Sequence, residues 1–197
     1  MPLPQKKIKY KRGFKKWSDD KAIDLRKNMG LISSAPLCAF ELCEHLEIPL
    51  LRPENVPGIS QELLTVLLKP GETYWSAASI PITDNDYIII HNPIHSPARQ
   101  QSDIMHEVAH ILCGHVVPPE KKATGLSGFL RNHDEAQENE AEWLGACLQL
   151  PRPALLWALK KKMKMEEIGN FFQASVEMVR YRINITGVKK QLAYSKF

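Results

Sequence analysis

The amino-acid sequence predicts an α+β fold, in which helices come first, a β-hairpin follows, and further helices complete the chain. Three observations predict it. Apolar residues recur at helical spacing before residue 70 and again after residue 96. Between these regions, the runs TYWSAASIPI and DYIIIHN are rich in aromatic and β-branched residues, and the TDND that separates them has the composition of a hairpin turn. A chain of 197 residues, 44% of them hydrophobic, is long enough to bury the core of one such domain.

The first half of the chain contains three predicted helices and one short strand. The first helix, SDDKAIDLRKNMG, has Ser18 as its N-cap and ends at Gly30. A second helix is predicted in APLCAFELCEHLEI, a short strand in IPLL, and a third helix in SQELLTVLL, which KPGE ends.

Helices dominate the second half. A long helix begins with Ser96 as its N-cap and Pro97 as its first helical residue, and it ends at Gly114. A loop rich in proline and glycine separates it from a helix predicted over about residues 134–150, which Pro151 ends. The remainder of the chain is predicted to be helical.

Charge divides the chain into three parts. Residues 1–16 and residues 151–197 each carry a net charge of +7, whereas residues 17–150 carry −10. We therefore predict a basic tail over 1–16, a domain over 17–151 and a basic helical segment over 152–197. An acidic body with basic ends suits a core that holds a cation and ends that contact an anionic partner. Solvated basic ends explain the same pattern, and a solvated, flexible tail is the favoured interpretation for residues 1–16.

Composition also limits the cellular setting. The sequence has no run of eighteen apolar residues, and no apolar segment with a cleavage site follows the basic start, so neither a membrane span nor a secretory signal is predicted. The four cysteines, Cys38, Cys43, Cys113 and Cys147, are scattered without the close pairing of a structural metal site. Reduced thiols in a cytoplasmic protein are therefore expected.

The stretch IMHEVAHILCGH carries the clearest candidate for chemistry. On a helical wheel His106 and His110 lie about 40° apart, while the apolar residues of the helix gather on the opposite side. Two histidines four residues apart with Glu107 between them are the ligand pair and the base of a zinc hydrolase. A surface helix with two solvated histidines fits the same pattern. A third histidine at the metzincin spacing is absent, because Val116 stands there.

The helix over 134–150 places one carboxylate on its apolar face. Glu140 lies at the centre of that face, and the other glutamates of the helix are predicted to point the opposite way: Glu135, Glu138 and Glu142. A buried carboxylate is costly unless it is paired or bound to a cation. An ion pair, for example with Arg99, is one explanation. The favoured explanation is the third ligand of a site with two histidines and one glutamate, because one metal ion then accounts for both unusual features.

The predicted cofactor is Zn²⁺, held by His106, His110 and Glu140, with a fourth position for water. Glu107 then lies beside the metal, where it acts as the general base. Several residues are candidates for contacts to the ligands or for stabilising the attacked carbonyl: His115, Arg99, Asp103, Tyr74 and His133. The hairpin could bind an extended peptide along its edge, or it could be a plain part of the core.

Taken together, IIIHNPIHSPARQQSDIMHEVAHILCGH and NEAEWLGACLQLP resemble the ImmA/IrrE-type metallo-endopeptidases. Aligned on Pro151, the ligand glutamate of that family falls on Glu140. This chain departs from the family pattern at Asp103, at Glu142, which replaces an asparagine, and at Leu144-Gly145, which replaces Phe-Ala. The resemblance covers about residues 70–151 and implies a minimal zincin-like fold, zinc-dependent proteolysis in the cytoplasm, and DNA-binding repressors as substrates.

The basic C-terminal segment contains MEEIGNFFQASVEMVRYRINITG, which resembles a helix-turn-helix with Ser175 as the N-cap of its second helix. Arg180 and Arg182 in that helix are candidates for contact with nucleic acid. The favoured alternative is a small helical bundle that packs on the core and is basic only at its surface. The competing function is therefore a DNA-binding or protein-interaction regulator, for example of a mobile element, a toxin–antitoxin pair or a defence system, whose zinc-binding domain is catalytically silent.

Overall fold

A computed structural model of the protein describes residues 10–70, 75–83, 85–115 and 135–194. Within these ranges the fold is α+β, as the sequence predicts. The helices are α1 (Phe14–Asn28), α2 (Ala39–His45), α3 (Gln61–Leu67), α4 (Pro97–Cys113), α5 (Glu135–Gln149), α6 (Arg152–Lys160), α7 (Met165–Phe172), α8 (Val176–Thr186) and α9 (Val188–Tyr194). The strands are β1 (Leu50–Leu51), β2 (Ala77–Pro81) and β3 (Tyr87–His91). None of the described helices has the length and apolarity needed to cross a membrane.

The three strands form one small sheet in the order β1-β3-β2. β2 and β3 pair antiparallel, which confirms the predicted hairpin, and β1 pairs parallel to β3. The amide of Asn92 donates to the carbonyl of Ser76 at 2.8 Å. Because bonded and non-bonded pairs alternate along an antiparallel ladder, the backbone groups of Ala77 and Ser79 point outward from β2. The proline that pairs with Tyr87 at the end of β2 is tolerated because this strand lies at an edge.

α4 and α5 form the most extensive helix contact of the described fold. Gly145 of α5 sits directly against the backbone of α4. A Cβ atom at this position would lie 3.2 Å from the carbonyl oxygen of Met105 and 3.3 Å from the Cα of His106. The absent side chain therefore lets α5 approach α4 closely at the level of the first histidine.

Both ends of α4 are as predicted, with Pro97 as its first residue and Gly114, at φ 65°, as its C-cap. The start of α1 is not. α1 begins at Phe14, and the hydroxyl of Ser18 donates to the Phe14 carbonyl inside the helix at 2.9 Å instead of capping it. Phe14 is buried and stacks on Tyr10 at 5.7 Å between ring centroids, so packing extends the helix toward the N-terminus. Tyr10 and Phe14, which lie in the range assigned to the basic tail from sequence, therefore pack on the core.

Two fully buried arginines bind the carbonyls at the C-terminal end of α5, where no intrahelical donors remain. Arg26 of α1 donates to the carbonyl of Leu148 at 2.8 Å, and Arg182 of α8 donates to that of Leu150 at 2.9 Å. Arg182 also contacts Asp19 at 3.4 Å. These bonds join the C-terminal helices to α1 and α5.

Candidate metal centre

α4 brings the two predicted histidine ligands together. The Nε2 atoms of His106 and His110 lie 3.0 Å apart. His110 is almost fully buried, whereas 30% of the His106 side chain is exposed. One ring therefore faces the interior and the other faces a cleft, so an ion between them could reach solvent.

A carboxylate of α5 completes this cluster. Glu138 approaches the Nε2 atom of His106 at 3.3 Å and that of His110 at 3.7 Å. One ligand atom from each of the three residues lies within 4.8 Å of the others, and among the described residues this is the group that could hold a metal ion. Two imidazole nitrogens and a carboxylate oxygen are a donor set that a divalent transition metal accepts.

The helical wheel placed Glu138 on the polar face, and its side chain is 48% exposed, but the wheel did not predict what this side chain contacts. It assigned this side chain to the face opposite the core, yet the carboxylate meets both histidines. The reason is the contact at Gly145, which turns one side of α5 toward α4. The wheel identifies the apolar face of a helix, but it contains no information about which side a neighbouring helix approaches.

Glu140 is buried, as predicted, and its partner is His115. The Oε2 atom of Glu140 lies 3.2 Å from the Nε2 atom of His115, and the Nζ atom of Lys11 lies 4.0 Å away. The Nδ1 atom of His115 in turn lies 2.9 Å from the Nδ1 atom of His110. Glu140 therefore connects to the histidine pair through His115. Its role as a direct metal ligand stays a prediction.

The electrostatic surroundings of the cluster favour positive charge. Burial lowers the pKa of His106, but the hydrogen bond to Glu138 and the charges of Glu107 and Glu142 outweigh it, so this pKa is raised. Hydrogen bonds from His106 and His110 hold the pKa of Glu138 well below its usual range. A cation bound here would take the place of protons on the histidines.

Glu107 points to the edge of the sheet. Its Oε2 atom accepts a hydrogen bond from the backbone N–H of Ser79 at 2.8 Å. This amide is one of the outward-facing groups of β2. The carboxylate beside the first histidine is thus anchored where an extended chain could pair with β2.

Asp103 and Arg99, two weaker candidates from sequence, lie on α4 upstream of His106. Asp103 Oδ2 lies 2.8 Å from the Nδ1 atom of His95 and 3.7 Å from the Nε atom of Arg99. Burial raises the pKa of Asp103, while His95 and Arg99 oppose that shift. Arg99 also donates to the hydroxyl of Ser76 at 3.3 Å. Sequence reasoning missed His95, because a single histidine in a loop gives no signal of its partner.

A cleft of about 390 Å³ opens beside His106. Its lining comes from α4, α5 and α8: Ser102, Asp103, His106, Glu138, Glu142, Gly145, Ala146 and Met178. The contribution of Met178 means that the C-terminal helices form one wall of the site, which the sequence did not indicate. Tyr74 and His133, the other candidates for stabilising a carbonyl, lie outside the described residues.

The structure separates the two arginines that were candidates for nucleic-acid contact. Arg180 is exposed, so the prediction for it stays a prediction. Arg182 is fully buried and bonded to Leu150 and Asp19, so a nucleic acid cannot reach it in this fold. The expectation for Arg182 is therefore wrong, because its guanidinium group is paired inside the protein with Leu150 and Asp19.

A comparison with known protein families identifies the family of this chain. The family described as the IrrE N-terminal-like domain, peptidase M78, matches residues 65–184, which is more than half of the chain. The chain belongs to this family. The matched range contains the hairpin, α4, α5 and most of the C-terminal helices, so the IrrE-like region extends beyond residue 151. Neither the curated proteins nor the solved structures contain a match to the chain.

Membership of the IrrE-like peptidases confirms the resemblance inferred from the two motifs and indicates a function of the metallopeptidase type. It is also consistent with a minimal zincin-like domain built from helices and a small sheet. The residues that this chain places at the centre fit a metal ion, because two histidines and a carboxylate converge there.

Proposed function

We propose that the protein is a zinc-dependent endopeptidase, in which His106 and His110 hold the metal together with a carboxylate of α5. The observation that carries this proposal is the separation of roles within α4. The two histidines belong to the cluster, whereas Glu107 lies beside it and is bonded to the backbone of β2 at Ser79. A purely structural metal site has no use for a carboxylate held in this way.

Zinc in such a site acts as a Lewis acid, which polarises a carbonyl and lowers the pKa of a water molecule to about 7. The protein contributes the movement of the proton. Glu107 accepts a proton from the attacking water and returns it to the leaving amine. The hydrogen bond from Ser79 fixes one carboxylate oxygen, which leaves the other to exchange the proton.

Two glutamates of α5 are candidates for the third ligand. Glu138 is supported by its distances to both histidines. Glu140 is supported by its alignment with the ligand position of the family and by its burial. Since Glu140 lies against His115, it would have to exchange that contact for the metal, so the geometry favours Glu138.

The substrate proposed for this site is a protein segment in extended conformation. Because the Ser79 N–H is held by Glu107, the outward N–H and carbonyl of Ala77 and the carbonyl of Ser79 could pair with such a segment next to Glu107. The resemblance to ImmA/IrrE-type enzymes supports a DNA-binding repressor as that protein and the cytoplasm as the location.

The function is tested by measuring zinc content and peptide hydrolysis for the wild type and for Glu107→Gln. We expect near-stoichiometric zinc in both proteins and a loss of turnover of about 100-fold to 10,000-fold in Glu107→Gln, because the general base is removed while the ligands stay. Glu135→Gln, which changes an exposed glutamate of α5 in the same way, serves as the matched control. Full activity in Glu107→Gln, or a wild type that binds no zinc after reconstitution, would contradict the proposal.

A further inference from the structure

The sheet carries two separate apolar clusters, one on each face. Ala77 and Ile89 pack into the main core with α4. On the other face, Trp75 and Ile90 belong to a smaller cluster together with Leu67 of α3. Because side chains alternate along a strand, neighbouring residues of β2 and β3 belong to different clusters.

The smaller cluster is not filled. A pocket of about 210 Å³, partly open to solvent, lies between the sheet, α3 and the segment before α3. Residues that form its walls include Pro53, Ile59, Leu63, Trp75, Ala78 and Ile90. The indole N–H of Trp75 donates to the carbonyl of Leu67 at 3.0 Å, so the polar atom of this side chain is already paired. Because the pocket is partly open and its lining is mostly apolar, an apolar group that entered it would remove that lining from water.

The cavity lies next to the β2 edge of the sheet, because Ala78 of β2 lines it. Ala78 lies between Ala77 and Ser79, the two residues whose backbone groups point outward from β2. Ser79 donates to Glu107, so this edge lies beside the proposed base. The side chain of Ala78 lines the cavity on the opposite face of the sheet. β2 is an edge strand, and no described residue on its open side contributes to the lining of the cavity.

In a peptide that pairs with β2 as an added strand, successive side chains point alternately to the two faces of the sheet. Side chains opposite Ala77 and Ser79 would lie on the α4 face, and the side chain opposite Ala78 would lie on the cavity face. Pockets that bind a whole small ligand are commonly about 300–1,000 Å³ in volume and mostly apolar. This pocket is mostly apolar but smaller, at about 210 Å³, which suits one side chain of a ligand better than a whole molecule.

We propose that this cavity is the specificity pocket for one apolar substrate side chain, of the size of leucine, methionine or phenylalanine. That side chain belongs to the substrate residue opposite Ala78. The proposal rests on the proposed peptidase function and adds the substrate class to it. Peptides with an apolar residue at this position bind and are cleaved in preference to those with alanine, lysine or glutamate.

The first measurement is the cleavage profile of a mixed peptide library, read by mass spectrometry, for the zinc-loaded full-length protein. Wild type is compared with Ala78→Leu, which fills the cavity, and with Ala78→Val, which fills less of it and guards against misfolding. Ala193→Leu, an identical change on the exposed surface of α9, is the matched control. We expect the wild type and the control to prefer leucine over alanine at one position by about tenfold or more in kcat/KM. This preference should fall stepwise in Ala78→Val and Ala78→Leu, while zinc content stays the same.

The second measurement does not depend on turnover. N-acetyl-leucinamide is titrated into protein with labelled alanine and isoleucine methyl groups, with N-acetyl-lysinamide as the comparison. We expect saturable shifts of the Ala78 and Ile90 methyl signals with the leucine compound only, and loss of the Ile90 shift in Ala78→Leu. Cleavage with an unchanged preference in Ala78→Leu would overturn the pocket while the peptidase function stands.

If no peptide is cleaved, the peptidase function fails. Methyl shifts would then still support an apolar side-chain site, and their absence would overturn it.

Discussion

The Nδ1 atoms of His110 and His115 lie 2.9 Å apart. One of them must donate and the other must accept. The Nε2 atom of His115 lies 3.2 Å from the Glu140 carboxylate, which can only accept when ionised, so His115 donates there. In its neutral form His115 then accepts at Nδ1 from the Nδ1–H of His110. With Nδ1 protonated, a metal ion that replaces the proton on Nε2 finds the lone pair of His110 on the atom that lies at the metal cluster.

His115→Phe should therefore weaken zinc binding by about 10-fold to 100-fold, since the acceptor that fixes the tautomer and orientation of His110 is lost. Zinc affinity is measured by competition with a chromogenic chelator. His115→Gln, whose side chain keeps a carbonyl acceptor, should restore part of the affinity. An affinity in His115→Phe equal to that of the wild type would mean that His115 only fills space.

The third ligand can be identified with two matched variants of α5. From the distances to both histidines we expect Glu138→Gln to lose most of its zinc and Glu140→Gln to keep near-stoichiometric zinc with reduced affinity, since Glu140 acts through His115. The absorption spectrum of the cobalt-substituted protein reports the ligand set directly. Loss of zinc in Glu140→Gln with retention in Glu138→Gln would instead assign the position that the family alignment selects, without affecting the proposed function.

Gly145 should not tolerate a β-branched side chain. Gly145→Val places atoms against the backbone of α4 at Met105 and His106, and we expect the free energy of unfolding to fall by about 1–3 kcal/mol. Zinc affinity should also fall, because His106 moves. Urea unfolding measures the first effect. Gly145→Ala should have a smaller effect, because alanine gains about 1 kcal/mol of helix propensity. The matched control is Ala193→Val, on the exposed surface of α9; an equal loss of stability in this control would contradict the packing argument.

The two arginines of α8 should behave differently. Arg182→Leu removes a buried charge that contacts the Leu150 carbonyl and Asp19, so a loss of roughly 3 kcal/mol in the free energy of unfolding is expected. Arg180→Leu, on the exposed side of the same helix, should change stability by less than about 0.5 kcal/mol. If the full-length protein binds duplex DNA in a salt-dependent way, Arg180→Leu should weaken that binding. Equal stability losses in both variants would contradict the distinction.

Cys113 should behave as a packed thiol and not as a metal ligand. Burial, with the charge of Glu140 adding to it, raises the pKa of Cys113 to about 11. At pH 8 on the order of one thiol in a thousand is ionised, so alkylation is slow and accelerates as the pH rises toward 11. Removal of zinc should leave this rate unchanged, as followed by mass spectrometry of the Cys113 peptide. A large acceleration on metal removal would indicate a thiolate ligand, and Cys113→Ser would then lose zinc.

Local signals determined much of this protein. Pro97 and Gly114 set the ends of α4 through their backbone preferences, and spacing alone placed His106 and His110 on one face of it, with Glu107 next to the first. The composition of the two β-type runs and their turn determined the hairpin. These features depend on neighbours in the chain, so the sequence contains what is needed to predict them.

Tertiary structure decided the rest. The close contact at Gly145 set which side of α5 meets the histidines, and so brought Glu138 to the cluster while Glu140 met His115. Arg182, a candidate for surface contact with nucleic acid from the sequence, is buried inside the fold. Ser79 at the sheet edge hydrogen-bonds to Glu107, although the two residues are 28 positions apart in the chain. A helical period reports how polar each face of a helix is. It does not report which element covers that face, because this depends on packing between segments that are distant in sequence.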